Sequence, residues 1–283
     1  MKHDDPDWLE AMYNNRARVP DHAMHFERWA RDSERVRATQ ACTLDIPYGP
    51  SAGQRLDVFP ASRPGAPVVV FIHGGYWRSM DKKEHAFLAP TWTEAGACVV
   101  VPNYDLCPTV TLTDIVMQMV RAIAWTWRHI GEYGGDPSRI SVAGHSAGGH
   151  LAAMMLTCLW DRYDRALPPQ LVTRALSISG LFDLEPVRHT PSLQASLHLT
   201  PSQVRQASPA LLPPPPRGQL AAVVGGSESM EFLRHNEMIR RVWGQTHVPV
   251  CEALPGLNHF SVVEALTAPG HRLNRLALDL LAD

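Results

Sequence analysis

The chain has 283 residues, 45% of them hydrophobic and 19% charged, with a net charge of -2. That length is enough for a sizeable core in one large α/β domain, and with no basic stretch nothing recommends a nucleic acid or a membrane surface as partner. The opening MKHDDPDWLE lacks the apolar centre of a secretory signal, no uncharged apolar run reaches the roughly 18 residues of a membrane span, and five scattered cysteines without a CxxC pair fit a reducing cytoplasm better than a disulfide framework.

Residues 1–40 read as a polar helical segment, expected to join a cap, in which Phe26, Trp29, Ala30, Ser33 and Val36 recur at three and four and predict one apolar stripe. Two strand-like stretches follow, CTLDIP and QRLDVFP. APVVVFIH, ACVVVPN, RISVAGH, RALSIS, QLAAVVG and PVCEAL are then short Val-, Ile- and Ala-rich runs without alternation, the pattern of strands covered on both faces, and they carry Cys98 and Cys251 as expected buried thiols. Between them lie helical patterns. The clearest starts near Thr113–Asp114, carries Val116, Met119, Val120, Ile123, Trp127 and Ile130 on one face, and stops at YGGDP. Strand alternating with helix predicts a mostly parallel, doubly wound sheet with helices on both faces. Residues 181–217 break the rhythm with TPSLQASLHLTPSQVRQASP and a proline run at Pro213–Pro216, and predict an inserted cap of short helices ending in a stiff connector. No internal repeat is present, and the chain reads as a single domain over 1–283.

Gly144-His145-Ser146-Ala147-Gly148 follows a predicted strand (Arg139–Ala143) and precedes a predicted helix (Gly149–Leu159). That is the context of a nucleophile elbow, where small neighbours let strand and helix approach and the serine hydroxyl stands at a helix N-terminus. Upstream, a strand ends in His73-Gly74-Gly75-Tyr76-Trp77. In α/β-hydrolases such a loop supplies backbone N–H groups to an oxyanion, with another from the residue after the nucleophile. Here the donors would be Gly74, Gly75 and Ala147, with His73 orienting the loop. A serine needs a base and the base an orienting carboxylate, in the chain order serine, acid, histidine. His259, after the last predicted strand and a Pro-Gly turn, is the expected base. Glu228, just past QLAAVVGG, is the favoured acid, with Glu231 and Asp183 as alternatives. His145 and His150 read as packing or pocket residues. Tyr76, Trp77, Phe182 and Phe260 are expected to wall an apolar substrate pocket, and Tyr13 and Asn14 to lie near its mouth. His22/His25 and His145/His150 lack the spacing of a zinc hydrolase, so no metal and no cofactor is expected.

HGGYW followed by GHSAGG resembles the hormone-sensitive-lipase-like branch of the α/β-hydrolases, and more specifically the kynurenine formamidase (arylformamidase) group and related bacterial carboxylesterases. YNNRARVPDH, NYDLCP, SISGLFDLEPVRHT, LTPSQVRQASP and NHF extend the resemblance along nearly the whole chain. It implies the α/β-hydrolase fold with a small helical cap and a covalent acyl-enzyme mechanism without metal. It places the nucleophile at Ser146, the base at His259 and the oxyanion donors at Gly74, Gly75 and Ala147. The group's acid lies in a segment like HDSPEF. The matching SESMEF puts Glu228 where the group often has aspartate, and Tyr76 stands where the lipase branch often has a third glycine. The implied activity is cleavage of an aryl formamide such as N-formylkynurenine. A broad carboxylesterase and a non-catalytic ligand binder are the alternatives. The expected partner is a small molecule, and a homodimer is compatible with the sequence.

Overall fold

The computed structural model describes residues 5–282, so Met1 to Asp4 of the expected helical segment lie outside the described residues. The N-terminal segment forms α1 (Pro6–Tyr13), α2 (Asn15–Arg18) and α3 (His22–Thr39). Asp5 caps α1 by accepting from the Trp8 N–H, and Pro6 occupies its first position, where a missing N–H costs nothing. On α3 the buried stripe is His25, Trp29, Ser33 and Val36. Ala30, expected on it, is exposed, because at 100° per residue it points one step away from Trp29.

Eight strands make one sheet: β1 (Thr43–Pro47), β2 (Arg55–Phe59), β3 (Ala66–Ile72), β4 (Cys98–Pro102), β5 (Gly135–His145), β6 (Arg174–Ile178), β7 (Gln219–Gly225) and β8 (Val250–Leu254), in the order β1-β2-β4-β3-β5-β6-β7-β8. Only β1–β2 and β2–β4 are antiparallel, and the pairs from β4 to β8 are all parallel. Strand periodicity then sorts the apolar runs by face. Val68, Val70 and Ile72 of β3 join one core, with Ile115, Met119 and Ile123 of α5 (Leu112–His129), Leu151 and Met155 of α6 (Ala147–Thr157), and Ile239. Val69 and Phe71 join the other, with Trp29, Trp92 of α4 (Pro90–Thr93), and Leu273 and Leu276 near the C-terminus. Each such buried side chain contributes about 1.5–3 kcal/mol, so a sheet covered on both faces is held by two independent aliphatic layers.

Three elements differ in their boundaries from expectation. β5 extends beyond the expected Arg139–Ala143 at both ends, to Gly135–His145. α5 begins two residues earlier, because Thr111 and Asp114 form a reciprocal capping box. On its expected face Met119, Val120, Ile123 and Ile130 are buried, while Val116 and Trp127 are half-buried. α6 begins directly after Ser146 and ends at Thr157. β8 is an edge strand with only Leu254 buried, so PVCEAL is not covered on both faces and Cys251 is partly exposed, whereas Cys98 is buried.

After α7 (Trp160–Tyr163) and β6, residues 181–217 carry α8 (Glu185–His189), α9 (Pro191–Leu197) and α10 (Pro201–Ala207). The chain then returns through β7, α11 (Met230–His247, broken at Gly244), β8, α12 (Ser261–Glu264) and α13 (Arg272–Asp279). The carboxyl ends of β3, β5, β6, β7 and β8 lie along one rim, where a doubly wound sheet binds its ligands.

Candidate active site

The turn between β5 and α6 holds Ser146 at φ 56°, ψ -117°, a conformation that ordinary residues avoid. The close approach that makes it possible depends on Gly148: a Cβ there would lie 1.9 Å from the Ile72 carbonyl oxygen. Ser146 donates its own N–H to Ile178 O at 2.8 Å, which ties the turn to the end of β6. Its hydroxyl thus stands at the N-terminus of α6, where unpaired N–H groups and the helix dipole favour negative charge.

His259 sits in the loop after β8. Its Nε2 lies 3.1 Å from Ser146 Oγ and its Nδ1 2.6 Å from Glu228 Oε2. All three residues are buried. Glu228 Oε1 in turn accepts from the Gly225 N–H at 2.7 Å and from the Ser179 hydroxyl. His145 donates from Nε2 to the His259 carbonyl at 2.8 Å, and its ring packs 4.8 Å from that of His259. Burial, with the neighbouring His259 second, pushes His145 well below the ordinary histidine range, so it is a neutral strut.

The other carboxylates considered from sequence are engaged elsewhere. Glu231 pairs with Arg234 at 2.7 Å and accepts from the Tyr13 hydroxyl at 2.8 Å. Asp183 accepts the Glu185 N–H at 3.1 Å near the start of α8.

The loop after β3 lies against the elbow. Gly74 passes so close that a Cβ would lie 3.2 Å from Ser146 Cβ, and Gly75 adopts φ 105°, which favours glycine. Among the described residues neither the Gly74 nor the Gly75 N–H donates a hydrogen bond within the chain. The Ala147 N–H is the first of α6. His73 Nδ1 donates to Gly74 O at 2.8 Å, and its ring stacks on Tyr104 at 4.3 Å, which holds the loop. Burial lowers the His73 pKa and keeps the ring neutral.

A cavity of about 540 Å³ opens onto Ser146 and His259. Tyr76 and Phe260 line it, as do Tyr13 and Asn14 from the N-terminal segment. Tyr76 donates its hydroxyl to Tyr13 O at 2.7 Å, joining that segment to the glycine loop. Trp77 and Phe182 do not line it. Both are fully buried, Trp77 with its ring edge-on to His150 at 5.0 Å. Both belong to the hydrophobic core, and Phe182 lies with its ring 6.5 Å from that of His235. His150 likewise belongs to the interior, with Nε2 donating to Ala207 O. Sequence reasoning passed over Ser179, which holds Glu228, and over Arg16, Asn15 and Arg78, which face the cavity. Ser179 had one local signal, its place in SISG at a strand end beside the elbow. The others had none, since only folding brings α2, the glycine loop and α9 together.

Residues 56–181 match the family model described as BD-FAE. The kynurenine formamidase of Danio rerio is 29% identical over 265 residues, covering 91% of this chain and 88% of that one. A crystal structure from Silicibacter sp. TM1040, of a protein provisionally described as a thioesterase, superposes with a TM-score of 0.82 at 28% identity, covering 94% of this chain and 97% of that one. The carboxylesterase EstE1, cloned from a metagenomic library, superposes with a TM-score of 0.68 at 20% identity over 91% of this chain and 95% of that one, a likeness of fold. The chain has the α/β-hydrolase fold and resembles kynurenine formamidases and carboxylesterases.

Proposed function

We propose that this α/β-hydrolase is a serine hydrolase that cleaves an aryl formamide, N-formylkynurenine being the model substrate, through an acyl-enzyme. The observation that carries the reading is the His259 imidazole bridging Ser146 Oγ and Glu228 Oε2. With Nδ1–H donating to Glu228, Nε2 carries the lone pair and accepts the hydroxyl proton as Oγ attacks the carbonyl carbon. The resulting oxyanion rests on the N–H groups of Gly74, Gly75 and Ala147, each worth about 3–4 kcal/mol of transition-state stabilisation. The tetrahedral intermediate collapses, His259 passes its proton to the departing amine, and the acyl group stays on Ser146. Water, deprotonated by the same ring, then releases the acid. Tyr76 and Phe260 offer an apolar wall for an aryl leaving group.

A second reading, a carboxylesterase for short acyl esters, is favoured by the size of the cavity, which far exceeds a formyl group at about 540 Å³. A comparison of kcat/KM on N-formylkynurenine and on a series of p-nitrophenyl acyl esters ranks the two. The formamidase reading expects the higher value on the formamide. A higher value on every ester tested transfers the assignment to the esterase. A fluorophosphonate probe should add its mass to the peptide holding Ser146. An unlabelled native protein would return the chain to the class of ligand binders.

A further inference from the structure

Among the described residues, two arginines line the cavity and no aspartate or glutamate does. Arg78 follows the glycine loop. It is half-buried and donates from Nη1 to Ser192 O and, at 3.0 Å, to Ser196 Oγ, which pins it against α9 while leaving other N–H groups of its fork unused. Arg16, on α2, is exposed at the rim with its guanidinium 5.4 Å from the centroid of the Phe26 ring. Among the described residues neither forms an ion pair. The nearby acid, Glu10, is not in the wall and is engaged with the Ser192 N–H at 3.1 Å and the Asn14 amide at 3.2 Å. Other arginines that are part-buried or lie in helical turns have carboxylate partners, as Arg188 with Glu185, Arg234 with Glu231 and Arg272 with Glu252. In a chain of net charge -2, a concave surface with two unpaired cations and no anion concentrates positive potential on whatever approaches Ser146.

We propose that Arg78 and Arg16 hold the substrate's carboxylate and so set specificity, while the scissile carbonyl faces Ser146. The inference rests on the hydrolase reading and names the two residues that recognise its substrate's carboxylate. A planar fork already fixed on one side by Ser192 and Ser196 loses little freedom on receiving a carboxylate, and charge-assisted hydrogen bonds of this kind are the strong ones. The cation at the rim adds attraction that salt weakens.

The test separates charge recognition from catalysis. In a Ser146→Ala background, binding of des-amino N-formylkynurenine, which keeps the carboxylate and lacks the ammonium, and of its neutral carboxamide is measured by calorimetry at low and high salt. The acid should bind at least tenfold more tightly than the carboxamide, with the preference shrinking as salt rises. Arg78→Met should remove most of the preference and Arg78→Lys restore part of it. Arg16→Met, at an exposed position where folding is not at stake, should lower it about threefold. Equal affinities for acid and carboxamide, or no binding of either, would overturn the proposal. Turnover and fluorophosphonate labelling of the wild-type chain report on the hydrolase reading separately. A catalytically silent protein that still prefers the acid retires that reading and keeps the charge preference.

Discussion

Glu228 accepts three hydrogen bonds, from His259, Gly225 and Ser179, so its carboxylate is fixed in direction before any substrate arrives. Glu228→Gln keeps the shape but presents an amide N–H₂ to Nδ1, which favours the tautomer with its proton on Nε2, facing Ser146. We expect kcat to fall by roughly 10³- to 10⁴-fold with KM little changed, measured on a chromogenic ester. Ser179→Ala removes one donor and leaves the other two, so the expected loss is about tenfold. A Ser179→Ala enzyme with unchanged kcat would mean that Gly225 alone orients the acid. Ser179, like Ser146, has a positive φ, at 54°. Strain of about 1–3 kcal/mol per residue is thus concentrated at two adjacent strand ends, under the groups that must meet.

The elbow is an element-scale device in which strand, helix and neighbouring strand approach within the space of a glycine. Gly148→Ala forces a methyl against the Ile72 carbonyl and should cost about 3 kcal/mol in urea unfolding. Gly131→Ala, where a Cβ meets nothing within 4 Å, should stay within about 0.5 kcal/mol of wild type. The order of strands and helices was legible in the chain because β3, β4 and β7 are largely buried and write themselves as runs dominated by Val and Ala, with β5 and β6 carrying shorter apolar stretches. The edge strand β8 uses similar letters, and its exposure comes from its place in the sheet, which a local pattern does not encode. At the site, Ser146, Glu228 and His259 each carried a local signal: a glycine frame, a strand end, a turn after the last strand. The aromatic walls did not. Trp77 and Tyr76 are adjacent with nearly equal φ, at 55° and 50°, yet one is core and the other faces the cavity. Composition could not tell them apart.

Across the whole molecule, buried neutral histidines set how stability responds to acid. Burial drives His85 down to about 3 and His150 down to about 4. In the unfolded chain each titrates near 6.5, so below that pH the unfolded state holds more protons than the folded one. The stability these residues contribute is complete above pH 6.5. It is lost as pH falls, to about 4 for His150 and about 3 for His85, at up to roughly 1.4 kcal/mol per pH unit for each. Urea midpoints should therefore drop between pH 7 and pH 5. His150→Gln, which can still donate to Ala207 O, should flatten that slope by close to one proton's worth. An unaltered slope would mean that His150 is protonated in the fold. The same long-range architecture bears on when the site first exists. The serine turn and the imidazole that meets it are 113 positions apart, and Tyr13 and Asn14, made earliest of the cavity's walls, wait for both. A ribosome-borne chain ending before β8 therefore owns a nucleophile without its base, so that during synthesis the growing polypeptide is inert toward acyl compounds and reactivity arrives in a single late step.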